Sequence, residues 1–225
     1  MIKTEKRRME KYLFTALPEA LVPIEVTLRA GKLRVETFKR TKGTAKKFYK
    51  LYKSSPFSDE AKAFLNDNLT SVISEWGYFT DDINEGHIIT YLAESANESL
   101  IQESTVMTMS GEGYENLTDY ELEKTNGEEC YFVTVIDGKI VSVCETNAGD
   151  AFCGAKEINV YTADEYRGMG YGASNVSAMI KYYLSLGHNV AYTSRKDNVA
   201  SCRLAEKCGL KKTAETYYYV CYKEE

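Results

Sequence analysis

Gly168, Gly170 and Gly172 alternate along one short loop, between a β-rich run at Glu157 to Thr162 and a helical pattern that begins at Tyr171. Glycines at a strand-to-helix junction let backbone amides approach a ligand closely. The start of the helix adds unpaired N–H donors and a partial positive charge. The group such a loop favours is a phosphate or pyrophosphate. Two cofactor geometries use it. As G-x-G-x-x-A, with Ala173 as the last member, it would bind a dinucleotide. Three features count against that. Only 53 residues follow Gly172. Ala163 to Arg167 separate the strand from the first glycine, where a tight turn is needed. The next strand ends in Ser194-Arg195 without an acidic tip, although Asp197 is close.

The same loop also reads as R-x-x-G-x-G, with Arg167, Gly170 and Gly172. Further on, Asn198, Ser201, Leu204, Glu206, Lys207, Gly209 and Leu210 fall in the order N-x-x-[AS]-x-x-L-x-E-K-x-G-[FL]. Two segments in this order, with an Asp-Gly-Lys hairpin upstream, resemble the GNAT acyltransferase superfamily over about residues 104–225. The resemblance implies a GNAT-like acyl-CoA-binding fold of the α/β class, a mixed α+β sheet, with an additional α/β region at the N-terminus. It implies acetyl-CoA as co-substrate, no metal, and transfer of acetyl to a primary amine by direct attack.

Particular residues then acquire expected roles. Backbone groups of Val160, Tyr161 and Thr162 would pair with the pantetheine arm as an added strand. Amides of Arg167, Gly168, Met169, Gly170, Tyr171 and Gly172 would hold the pyrophosphate. Asn198 and Ser201 would lie beside the coenzyme, Asn198 also capping its own helix. Arg167 would either add charge to the phosphate site or pair with Asp164 or Glu165. The Val160 amide would stabilise the tetrahedral oxyanion. Strand alternation puts Glu157, Asn159 and Tyr161 on one face and Ile158 and Val160 on the other, so Glu157 is a candidate base, directly or through water. An exposed or salt-bridged carboxylate is the plainer role for it. Many members of the family carry a tyrosine acid where this chain has Ala205. Tyr217, Tyr218, Tyr219 and Cys202 are the candidate substitutes. The competing reading is a non-catalytic acyl-CoA-binding or interaction protein on a degenerate fold of the same kind.

The elements that must position these residues follow from periodicity. Near-alternation at Leu33, Val35 and Phe38 predicts a strand, and Thr44 opens a short helix with Phe48, Leu51 and Tyr52 on one face. Ser58 caps a second helix, with Asp59 and Glu60 in its first turn and Ala61, Phe64, Leu65, Leu69, Val72, Ile73 and Trp76 as its apolar stripe; Gly77 ends it. A strand is expected at Ile88 to Leu92 and another at Val106 to Met109, with a short helix or loop at 114–123. Asp137-Gly138 joins two β-rich runs as a hairpin. Strand 157–162 then leads to helix 171–186, with Val176, Met179, Ile180, Tyr183 and Leu184 inward and Gly187 as its stop. Strand 189–194, helix 198–209 and strand 216–222 complete one mixed sheet flanked by helices. The acidic stretch from Glu94 to Glu103 is the expected boundary, giving an N-terminal region 1–103 and a GNAT-like domain 104–225.

Composition limits the alternatives. The 225 residues include 28 Lys and Arg against 33 Asp and Glu, a net charge of −5, which disfavours a nucleic-acid or membrane-surface role. Eighteen Tyr and eight Phe exclude a disordered chain. The charge is unevenly spread: +10 over 1–53, −17 over 54–155 and +2 over 156–225. Such asymmetry is most simply a solvated face; read functionally, the acidic middle favours a cationic small-molecule amine as acceptor or pairs with the basic N-terminal zone, and a homodimer is allowed as the assembly. Six cysteines without a C-x-x-C pair, and only His87 and His188, argue against a zinc site and for buried free thiols. The basic, then apolar start is broken by Glu10, Pro18, Glu19 and Pro23, and no apolar run is long enough to span a bilayer. A cytoplasmic location is expected.

Overall fold

The computed structural model describes residues 2–4, 20–38, 40–77, 84–125, 130–146 and 154–222. Cys153 and the signal-like segment 5–19 lie outside them. Two units are formed, Met1–Ile89 with Ala214–Glu225, and Thr90–Thr213. This division differs from the one expected at 103/104 for two physical reasons. The last strand, from Ala214 on, pairs with strands near the N-terminus and belongs to the first unit. The acidic stretch is tied into the second: Glu98 pairs with Lys181 at 2.6 Å, the Gln102 amide donates to Ser174 Oγ at 2.7 Å, and Asn97 Nδ2 donates to the Lys207 carbonyl at 3.1 Å.

In the first unit the strands are β1 (Ile2–Thr4), β2 (Ala20–Leu21), β3 (Ile24–Arg29) and β4 (Lys32–Thr37). β3 and β4 form a hairpin through Ala30 and Gly31, both at positive φ; Ala-Gly is a weak turn signal, and β3 was not foreseen. α1 is Lys42–Tyr52 and α2 is Asp59–Glu75. α1 starts earlier than expected and leaves Leu51 61% exposed. At 3.6 residues per turn Ala45, Phe48 and Tyr52 share one arc, and Leu51 falls outside it. α2 is as its sequence predicts: the Ala61 amide donates to Ser58 Oγ at 3.3 Å, and Ala61, Leu65, Leu69 and Ile73 are buried one turn apart.

The chain enters the second unit within β5 (Asn84–Ala93) and leaves it within β12 (Leu210–Tyr222). Between them lie β6 (Thr105–Thr108), β7 (Glu115–Asn116), β8 (Tyr131–Ile136), β9 (Lys139–Thr146), β10 (Lys156–Thr162) and β11 (Val190–Arg195). Helices α3 (Tyr171–Ser185) and α4 (Val199–Lys207) follow β10 and β11. The strand order is β5-β11-β10-β9-β8-β6, with β7 beside β9. The β8–β9 hairpin turns at Asp137 (φ 50°) and Gly138 (φ 77°), as Asp-Gly demands. Segment 114–123 holds no helix, only β7 and a turn in which Asn116 Oδ1 accepts from the Thr118 amide at 3.0 Å.

α3 buries more than its apolar face. Ser174, Asn175 and Ser177 are fully buried. Thr134 Oγ1 donates to Asn175 Oδ1 at 2.9 Å, and Thr105 Oγ1 lies 2.6 Å from Ser174 Oγ. Polar residues in a helix read as a solvent face, but here β6 and β8 supply partners to Ser174 Oγ and Asn175 Oδ1. The five described cysteines carry free thiols.

Candidate active site

The site begins where β10 and β11 part. They pair in parallel at Lys156↔Val190 and Glu157↔Ala191, and the Lys156 amide donates to the Asn189 carbonyl at 2.8 Å. β10 runs on to Thr162, held on its other edge by antiparallel pairing with β9 through Thr162↔Ser142. With a period of two, the N–H groups of Ile158 and Val160 face the same edge as that of Lys156. Beyond Glu157 this edge has no ladder partner on β11 among the described residues. It is an open template for an extended ligand.

The loop after β10 makes one 3₁₀ turn, Asp164–Tyr166, and reaches α3 through Gly168 (φ 80°) and Gly170 (φ 88°). Gly170 stands at the N-cap position, and no side chain caps α3. The amides of its first turn therefore point into the space ahead of the helix. Gly172 has an ordinary φ; its requirement is contact. A Cβ there would lie 3.2 Å from Thr162 Oγ1 and 3.4 Å from both Val160 Cγ2 and Leu204 Cδ1, so glycine lets α3 settle onto the end of β10.

A cavity of about 570 Å³ joins these parts. Of the residues singled out from the sequence it gathers Val160, Tyr161, Thr162, Arg167, Gly168, Gly170, Tyr171, Gly172, Asn198 and Ser201. Met169 and Glu157 do not line it. Met169 is 55% exposed and accepts a hydrogen bond at its carbonyl from Gln102 Nε2 at 3.3 Å. Glu157 sits on the last rung of the β10–β11 ladder. Arg167 pairs with Asp164 at 2.7 Å, and its Nε donates to the Thr162 carbonyl at 3.1 Å, which bolts the loop to the strand end. Asn198 does cap its helix, Oδ1 accepting from the Ser201 amide at 3.1 Å, and lines the cavity as well.

The candidate substitutes for a tyrosine at Ala205 are not brought here. Tyr217, Tyr218 and Tyr219 belong to the first unit, where Tyr217 and Tyr219 are buried in its core. Cys202 lies with its thiol 3.7 Å from Ser194 Oγ and 3.6 Å from the Arg195 carbonyl. It does not line the cavity.

The structure adds residues that the sequence reading passed over. Tyr192 of β11 lines the cavity, with its hydroxyl 2.7 Å from Ser201 Oγ. Burial above all pushes its phenol up from the usual value, against the opposing pull of the Ser201 bond. Arg203 and, with it, Lys207 of the motif already noted bring positive charge from α4. On the Asn159–Tyr161 face of β10 lies the Glu145 carboxylate, only 8% exposed. It accepts from the Tyr120 hydroxyl at 2.9 Å and from Asn159 Nδ2 at 3.2 Å, while Tyr120 stacks on Tyr161 at 4.7 Å. Burial and then Glu145 raise the Tyr120 phenol far above its ordinary range. Alternation marked Asn159 and Tyr161 as facing together; nothing local tied Glu145 or Tyr120 to them.

Among the described residues no group of His, Cys, Asp or Glu is arranged to hold a metal, and no helix is long and apolar enough to cross a membrane.

Comparison with known proteins bears on the fold and the family. No curated protein matches the chain significantly. A solved structure from Novosphingobium aromaticivorans, described as an acetyltransferase from the GNAT family, superposes with a TM-score of 0.51 at 18% identity, covering 66% of this chain and 69% of that one. A GCN5-related N-acetyltransferase-like protein from Streptococcus suis gives 0.47 at 18% identity, covering 68% of each chain. The GCN5-related N-acetyltransferase of Sphaerobacter thermophilus gives 0.47 at 12% identity over 95% of this chain and 84% of that one. The model of the acetyltransferase (GNAT) family matches residues 94–210, more than half of the sequence, and the chain belongs to that family, whose members generally use acetyl-CoA as co-substrate.

Proposed function

We propose that this protein transfers an acetyl group from acetyl-CoA directly to the primary amine of a small, cationic molecule. The observation that carries the reading is the free edge of β10 running into the uncapped N-terminus of α3 within one cavity. The pantetheine arm adds to the edge at Val160–Thr162, and the pyrophosphate rests on the amides from Arg167 to Gly172. Arg203 and Lys207 supply countercharge.

The chemistry needs three things: a neutral amine, a donor for the oxyanion, and a proton for the thiolate. The Val160 N–H, turned to the open edge, is the oxyanion donor, and Asn198 fixes the coenzyme beside it. Glu157 takes the amine proton through water, since it sits on the last rung of the ladder rather than on the cavity wall. The charge of −17 over 54–155 attracts a cationic acceptor. Free thiols at all five described cysteines suit the reducing cytoplasm.

Ala205, fully buried, favours a second reading in which the coenzyme binds without turnover. Thermal unfolding with acetyl-CoA, coenzyme A and NAD tests the cofactor. Release of the coenzyme A thiol across a panel of amines then separates enzyme from binding module.

A further inference from the structure

The proton for the leaving thiolate has no donor at Ala205, and the sequence candidates for it lie elsewhere. Tyr192 stands in the right place. Ala191 opposes Glu157 on the last rung of the β10–β11 ladder, so Tyr192 is the first β11 residue beyond the point where the strands part. Val160 faces the same opening from the other strand. The Tyr192 side chain is 5% exposed, yet it lines the cavity together with Val160, Asn198 and Ser201. Its hydroxyl meets Ser201 Oγ at 2.7 Å. Ser201 is on α4, the helix that carries Ala205, one turn earlier.

On the acyl-CoA reading above, we propose that the Tyr192 hydroxyl is the acid that protonates the departing thiolate. A strand tyrosine thus replaces one absent from the helix. The neutral amine attacks the thioester carbon, a C–N bond forms, and the carbonyl electron pair moves to oxygen. Collapse of this intermediate restores C=O and breaks C–S, the pair leaving on sulfur. Sulfur takes the Tyr192 proton. The nitrogen gives its extra proton to water, and the phenolate regains one from water through Ser201. The products are the amide and the free coenzyme A thiol.

The surroundings keep this phenol in its donating form. Cys144 on β9, Cys202 on α4 and Cys208 just past its end lie around it; burial first, and then these thiols, hold its proton against the opposing pull of the Ser201 bond. Arg167, Arg203 and Lys207 are the cations on the cavity wall, and Asp119 is its carboxylate.

The test needs no knowledge of the acceptor. Calorimetric affinities for coenzyme A and for desulfo-coenzyme A, in which hydrogen replaces the thiol, are measured at pH 9 for wild type and Tyr192→Phe. A hydrogen bond to a charged group makes wild type prefer coenzyme A by about tenfold or more. Tyr192→Phe should abolish that preference and bind the desulfo analogue within about twofold of wild type. Equal losses for both ligands, or no loss for either, would overturn the assignment. If Tyr192→Phe does not fold, wild type alone decides: its preference for coenzyme A must grow from pH 7 to pH 9, and a constant ratio overturns the assignment. Failure of wild type to bind either ligand overturns the acyl-CoA reading itself, a result distinct from these.

Discussion

Gly170 lies against Gln102: a Cβ on Gly170 would lie 3.1 Å from Gln102 Nε2, the group that already donates to the Met169 carbonyl. Gly168, two residues earlier, has the same left-handed φ but nothing within 4 Å of its virtual Cβ. The two glycines should therefore separate on substitution. Either costs about 1–2 kcal/mol of stability, the strain of a side chain at positive φ. Gly170→Val also displaces Gln102 and puts a branched side chain at the N-cap of α3, so coenzyme A affinity should fall by more than about tenfold. Gly168→Ala should keep affinity within about threefold. Calorimetric titration of the folded variants checks both, and full affinity in Gly170→Val would remove the loop from the phosphate site.

Coenzyme binding should register as stability. A ligand at about 100 times its dissociation constant contributes roughly 2.7 kcal/mol, which for a chain of this length raises a near two-state melting midpoint by about 5–10 °C. Acetyl-CoA and coenzyme A should both produce the shift, and NAD none. A shift with NAD alone would mean that the glycine loop serves a dinucleotide after all.

Local chemistry explains how much could be read in advance. The glycine loop between β10 and α3, the caps at Ser58 and Asn198, the Asp137-Gly138 hairpin and most strands and helices of 105–222 depend on residues adjacent in sequence, and the structure agrees with each. What escaped depends on pairing at a distance. The splay of β10 from β11 is a property of register, invisible in either strand alone. Tyr192 reads as an ordinary β residue until α4 places Ser201 against it. Glu145 and Tyr120 are 25 residues apart. The β12 strand is continuous from Leu210, so the tyrosines at its far end pack in the first unit, although the sequence offered them as acids.

Glu157 gives the amine step its own check. Replacing the carboxylate by an amide of the same shape leaves the β10–β11 rung intact while removing the base. Glu157→Gln should lower kcat/KM by about a hundredfold and flatten the acidic limb of the pH–rate profile, with the KM for acetyl-CoA unchanged. The measurement uses the best acceptor from the amine panel. An unaltered profile would leave Glu157 as a strand carboxylate and pass the amine proton to another group.

Cys221 makes alkaline stability predictable. Its thiol is fully buried in the first unit's core, in one cluster with Tyr219 and Ile24, and burial pushes it from the ordinary value of 9.0 up to about 11. Between those values the unfolded chain has released a proton that the native chain still holds, so unfolding gains free energy from each step up in pH. The contribution is whole below about pH 9 and is lost as pH rises through about 11. Cys221→Ala removes it. That variant should be less stable than wild type at pH 8, by about 1 kcal/mol for the lost packing, yet should lose less of its remaining stability on going to pH 10.5. Urea midpoints of the two proteins at both pH values decide the matter. Parallel declines would show that Cys221 ionises as freely in the folded chain as in the unfolded one, which a core position with this burial does not permit.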